Sequence, residues 1–159
     1  MLLNPPGLLH PGLLPHWPYA QSVDQALTDR TIPPGTVRVE RTGRAYGELM
    51  YLVLAWDVSR CAGPGGIQLA WREDTGWSHT LLRTGGEAAL PRGPLTALHR
   101  LYATPEAVAD VADALVSRRF RGYETQWHGE WVRAHQVRTA IDAFRDDRSA
   151  GRRVDRRST

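Results

Sequence analysis

The chain has 159 residues, with 42% apolar and 23% charged side chains and six Trp, a composition that suits one globular domain and not a disordered chain. Its lone cysteine, Cys61, excludes an intrachain disulfide and a cysteine-rich zinc framework, and no apolar run approaches the length of a membrane span. All twenty basic side chains are arginine, and the +3 net charge is localised: residues 1–144 hold 14 Arg against 14 acidic residues, and residues 145–159 hold six Arg against three Asp.

The first residues lack a charged region and are broken by Pro5, Pro6, Pro11 and Pro15, unlike a secretory leader. With a single cysteine, this leads to an expected cytoplasmic location. Residues 1–16 contain the near-repeat Pro6-Gly-Leu-Leu-His10 and Pro11-Gly-Leu-Leu-Pro15, in which proline blocks helix formation, so they read as an extended arm. Tyr19, Val23, Ala26 and Leu27 then recur at helical spacing, predicting a helix over 17–30 that Ile32-Pro-Pro-Gly35 terminates.

Val37 to Arg41 alternates apolar and charged residues, the pattern of a half-buried edge strand, and residues 42–47 form its turn. Glu48 to Asp57 is apolar at nearly every position, which predicts a central strand covered on both sides. Ile67–Trp71 and Trp77–Leu82 flank Asp74-Thr-Gly76, a sequence suited to a turn that ends in a left-handed glycine, so the two runs are expected to pair as a hairpin. Residues 84–94 read as loop, and 95–102 as a short strand or a helical turn. Thr104-Pro-Glu106 supplies an N-cap, a first-turn proline and an early carboxylate for a helix carrying Val108, Val111, Ala112, Leu115 and Val116, closed by Gly122. A third helix is expected from Glu124 or Gly129, with Trp127, Trp131, Ala134, Val137, Ile141 and Phe144 on one stripe. The polar residues beyond it predict a flexible tail.

The expected architecture is therefore α+β: an antiparallel sheet of three to five strands in consecutive hairpins, with two or three helices packed on one face. The arm spans 1–16, the domain 17–144 and the Arg-rich tail 145–159.

Chemistry is sparse in this pattern. His128 and His135 are seven apart, wider than a helical metal-binding pair, and Glu124 adds no recognised ligand motif. His79 with Cys61, Asp57 or Asp74 would need assembly into a nucleophile and base, with no local signature to support it. Gly63-Pro-Gly-Gly66 leads into a strand and lacks the lysine of a phosphate loop, so it reads as a flexible strand connection. No catalytic, cofactor-binding or metal-ligating residue is assigned, and no cofactor is expected.

Leu69-Ala-Trp-Arg-Glu-Asp-Thr-Gly-Trp77, followed by Thr104-Pro-Glu-Ala-Val-Ala109, resembles a family of small actinobacterial proteins of unknown function. In that family a Leu-x-Trp-x-Glu-x-x-Gly-Trp hairpin precedes a helix that opens Pro-Glu-x-Val-Ala. The resemblance covers about residues 17–118; it implies an α+β domain and brings no activity with it.

Six Trp exceed what a core of this size requires, and exposed Trp anchors interfaces. The expected function is a non-catalytic protein-binding or adaptor module, self-associating or docking a partner through Trp71, Trp77, Trp127 and Trp131. The alternative is a nucleic-acid accessory protein that contacts phosphates through Arg152, Arg153, Arg156 and Arg157, with Arg118, Arg119 and Arg121 in support. A third reading is a small enzyme in which His79 or His99 meets a carboxylate in a pocket.

Overall fold

The computed structural model describes residues 14–43, 47–83, 93–94, 98–118 and 129–155. Their order is α1 (Trp17–Asp29), β1 (Thr36–Arg41), β2 (Met50–Trp56), a 3-10 turn (Val58–Arg60), β3 (Gly66–Arg72), β4 (Gly76–Leu82), a two-residue β5 (Gly93–Pro94), α2 (Pro105–Ser117) and α3 (Ala134–Asp155). All strands are antiparallel and lie in chain order from β1 to β5, so the sheet is built from consecutive hairpins as its turn signals imply.

The register decides which residues enter the core. Val37 faces Leu54 and Val39 faces Leu52 across β1 and β2. Leu52 in turn faces Trp71, Leu54 faces Leu69, and Trp71 faces Trp77 in the β3–β4 hairpin. Because side chains alternate along a strand, these residues share one face, and α1 and α2 cover it with Tyr19, Val23, Leu27, Val108, Val111 and Val116. On the opposite face of β2, Val53 is buried while Tyr51 and Ala55 remain half-exposed. The expectation of a strand covered on both sides therefore holds for the helical face alone.

Local chemistry sets the boundaries. Gly76 has φ +76°, the left-handed conformation expected at the end of the β3–β4 turn. The Thr104 side chain accepts the amide of Ala107 with Pro105 in the first turn, so α2 starts where its cap predicts. That helix ends at Ser117, with Arg118 left-handed; Gly122, Arg119 and Arg121 lie outside the described residues.

The end of α1 is a two-bond C-cap: the amide of Thr31 donates to the Thr28 carbonyl at 2.9 Å and that of Ile32 to the Leu27 carbonyl at 3.0 Å. This geometry requires a left-handed residue at position 31, and a β-branched threonine with φ 61° occupies it. Thr31→Gly is therefore expected to raise stability by about 1 kcal/mol in urea unfolding, and Thr31→Ala, which keeps the β-carbon, to give little of that gain.

Two boundaries differ from the sequence reading. Leu14 is 6% exposed and His16 1% exposed, so the residues just before α1 belong to the core and not to an arm. At the other end, α3 starts at Ala134, not at 124 or 129, because Glu130 forms a bridge with Ala103 and the Trp131 amide donates to the Tyr102 carbonyl, both extended-chain pairings. The helix then continues to Asp155, through most of the stretch expected as a flexible tail. Ionic contacts hold it there: Arg145 pairs with Glu73 and reaches the Glu48 carbonyl, and Arg148 pairs with Glu48. Glu73 also accepts the Met50 amide at 2.9 Å, which ties this helix to the first residue of β2. Among the described residues, no helix is long and apolar enough to cross a membrane.

Candidate functional site

Three of the four tryptophans expected at an interface are core residues. Trp71 is fully buried, Trp77 is 2% exposed and Trp131 7% exposed, while Trp127 lies outside the described residues. They surround Tyr19, whose ring lies 5.4 Å from Trp71, 5.3 Å from Tyr102 and 5.1 Å from Trp131. The Tyr19 hydroxyl donates to the Ala103 carbonyl at 2.8 Å and accepts the Trp77 indole N–H at 3.1 Å. Burial drives its proton affinity far above the ordinary tyrosine range. The Trp71 indole donates to the Leu101 carbonyl. The polar tips of Trp71 and Trp77 are thus satisfied inside the protein, and neither ring offers a surface to a partner.

His16 completes this cluster. Its ring stacks on Trp71 at 5.8 Å, and Nε2 lies 3.0 Å from the Tyr51 carbonyl, a contact that requires a proton on Nε2. Nδ1 is buried without a partner. Burial lowers the imidazole to about 4, against the smaller opposing pull of the Tyr51 carbonyl, so the ring is neutral at physiological pH. Sequence reasoning placed His16 in the arm; the run of prolines before it hid its position.

The groups considered for catalysis are separated. Asp57 caps the 3-10 turn by accepting the Ser59 amide at 3.0 Å, and bonds with Ser59 hold its carboxyl below the usual range. Cys61 follows that turn; its thiol points to the Trp56 carbonyl at 3.8 Å, and desolvation raises its pKa, which disfavours the thiolate. Asp74 is bound to Arg72 in the β3–β4 turn, at the other end of a strand about 20 Å long. His79 sits midway along β4 opposite Leu69. His99 and His135 are exposed, and His128 and Glu124 are outside the described residues. Among the described residues, no group of three His, Cys, Asp or Glu side chains is placed to hold a metal ion.

Nor does the Arg-rich segment present all its charges outward. Arg145 and Arg148 are engaged with Glu73 and Glu48. Arg152 and Arg153 lie in the last turns of α3, and Arg156 and Arg157 fall outside the described residues.

Among the described residues, two surfaces have a geometry suited to recognition. The first is the edge of β1, which pairs with β2 alone among the described strands and whose outward-facing amides follow from a single bond. The Thr42 amide donates to the Leu49 carbonyl at 2.8 Å, and in this register the pairs Glu40 with Tyr51 and Arg38 with Val53 belong to the same hydrogen-bonded set. Val37, Val39 and Arg41 therefore direct their N–H and C=O groups away from β2. Arg38 and Glu40 stand on the sheet face opposite the helices, where Glu40 accepts the Tyr51 hydroxyl; desolvation first and this carboxylate second push that hydroxyl up to about 12. The alternating signs were legible in the sequence, but the direction of the amides was not.

The second surface is a cleft of about 600 Å³ where the 61–66 loop, the ends of β3 and β4 and the end of α2 meet. The loop is held close. The Ala62 amide donates to the Val116 carbonyl at 2.8 Å, and a β-carbon on Gly66 would lie 2.6 Å from the Trp56 carbonyl oxygen. Glycine here permits backbone contact, where the sequence suggested flexibility. Cys61, Ile67, Leu81 and Leu115 line the cleft, with Arg83 and Arg118 at its rim.

No family model matches this sequence, and comparison with curated proteins and with solved structures likewise gives no match.

Proposed function

We propose that this chain is a non-catalytic protein-binding module that self-associates by pairing β1 with β1 of a second copy. The observation that carries this reading is the self-complementarity of the edge. A two-fold axis perpendicular to the sheet keeps each face on its own side, so residues of like parity face one another. Centring the pair on Val39 sets the outward amides of Val37, Val39 and Arg41 opposite their counterparts. The same register sets Arg38 of one copy opposite Glu40 of the other, twice by symmetry, at non-hydrogen-bonded positions where side chains approach most closely. Centring on Arg38, Glu40 or Arg41 would instead oppose like charges. Edge strands often carry charge to prevent such pairing; here the charge order favours it.

This reading moves self-association from Trp71, Trp77 and Trp131, which are buried, to the strand edge. It also fits the structural work done by Asp57, Cys61 and Asp74. The test is sedimentation equilibrium across a concentration series. A monomer–dimer equilibrium is expected, weakened at least tenfold by Arg38→Glu, which places two carboxylates opposite each other at both symmetry-related positions, and restored by Arg38→Glu combined with Glu40→Arg. Arg38 is exposed, so the single change leaves the monomer fold intact. A chain that stays monomeric throughout, or a dimer indifferent to Arg38→Glu, refutes the reading.

A further inference from the structure

We infer that the cleft between the 61–66 loop and the end of α2 binds a small amphipathic anion, a molecule with an aliphatic body and a carboxylate or phosphate head. The inference is independent of pairing at β1, since β1 contributes nothing to this cleft.

The cleft's walls are aliphatic and its rim is cationic. Its volume, about 600 Å³, lies within the range of small-molecule sites. Ile67, Leu81 and Leu115 supply the walls, and Leu81 is 36% exposed, one of three exposed large apolar residues among the described ones, with Val58 and Val132. An aliphatic ligand body would cover that surface. The two rim guanidiniums have no carboxylate partner among the described residues, although the ion pairs formed by Arg30, Arg41, Arg72, Arg138, Arg145 and Arg148 show that arginines here commonly find one. A guanidinium presents a planar fork that matches the two oxygens of a carboxylate or phosphate. The adjoining cleft, about 410 Å³, shares Leu82 and Arg83 and adds Arg60, whose charge is opposed there by the Asp57 carboxylate.

Arg118 is placed by its backbone. It occupies the left-handed region, φ 53° and ψ 27°, at the end of α2, a conformation that disfavours any side chain but glycine. Its guanidinium then lies over Gly63, where a β-carbon would come within 2.9 Å of Nε. A strained arginine laid across a glycine at the mouth of an aliphatic cleft is the juxtaposition that points to an anion.

Arg118→Gly separates binding from folding, because it relieves the left-handed residue while removing the charge. The experiment is isothermal titration of the full chain with octanoate, octyl phosphate and octanol, beside thermal melts of each variant. Saturable binding is expected for one or both anions, with octanol at least tenfold weaker. Arg118→Gly should reduce anion affinity at least tenfold with an equal or higher melting temperature, and Arg83→Gln should reduce it in the same direction. A preference for octyl phosphate or for octanoate assigns the head group. Absence of saturable binding, octanol as strong as the anions, or anion affinity unchanged in Arg118→Gly each overturns the inference.

Discussion

Between pH 7 and pH 4 the chain is expected to lose about 3 kcal/mol of stability through His16 alone. In the folded protein the ring has its Nε2 proton on the Tyr51 carbonyl, its face on Trp71 and a buried Nδ1 with no acceptor for a second proton. Burial holds its pKa at about 4, against 6.5 for the free side chain. Across that window the unfolded chain binds more protons than the folded one, so stability is complete above pH 6.5 and falls as the pH drops toward 4. Urea unfolding of the wild type and of His16→Gln, which cannot titrate, measures the effect. The difference between the two should shift by about 3 kcal/mol from pH 7.5 to pH 4. Parallel profiles would show that other groups control the acid response.

Gly65→Ala is expected to cost about 3 kcal/mol or more, although it adds one methyl group. A β-carbon at this position falls on the carbonyl oxygen of Leu82, well inside contact distance, and 3.3 Å from the carbonyl carbon. Leu82 is the last residue of β4 and is registered with Gly66, so neither backbone yields without breaking the pair. Gly43→Ala is the control, since a β-carbon there meets nothing within 4 Å among the described residues. Chemical denaturation of both variants should show the first strongly destabilised and the second close to wild type. A Gly65→Ala chain as stable as the control would show that the loop and β4 do not approach so closely.

Several parts of this fold are legible in the residues, each because a local rule governs them. Alternation and a left-handed glycine specify the β3–β4 hairpin; a threonine cap and a proline specify the start of α2. Consecutive hairpins follow from strands that succeed one another with, among the described residues, no helix long enough for a parallel crossover between them. What escapes the sequence is set by contacts between distant residues. The extension of α3 past Phe144 rests on Arg145 and Arg148 meeting Glu73 and Glu48, and no hydrophobic stripe announces it. Six tryptophans suggest an interface until the fold gathers Trp71, Trp77 and Trp131 around Tyr19. The rim of the cleft was only half visible: Arg118 stood out as a basic residue near a helix end, but its position over Gly63 depends on the left-handed turn that follows Ser117.

The grip of α3 on the sheet has a consequence for how the protein is made. Glu48 and Glu73 are translated before Arg145, which follows the first by 97 residues and the second by 72. A nascent sheet on the ribosome holds those two acids with Arg41 paired to Glu48 and without Arg145 and Arg148. Until α3 follows, that end of the nascent sheet lacks the ion pairs of Arg145 and Arg148, so translation order places the contact between sheet and helix after the strands themselves.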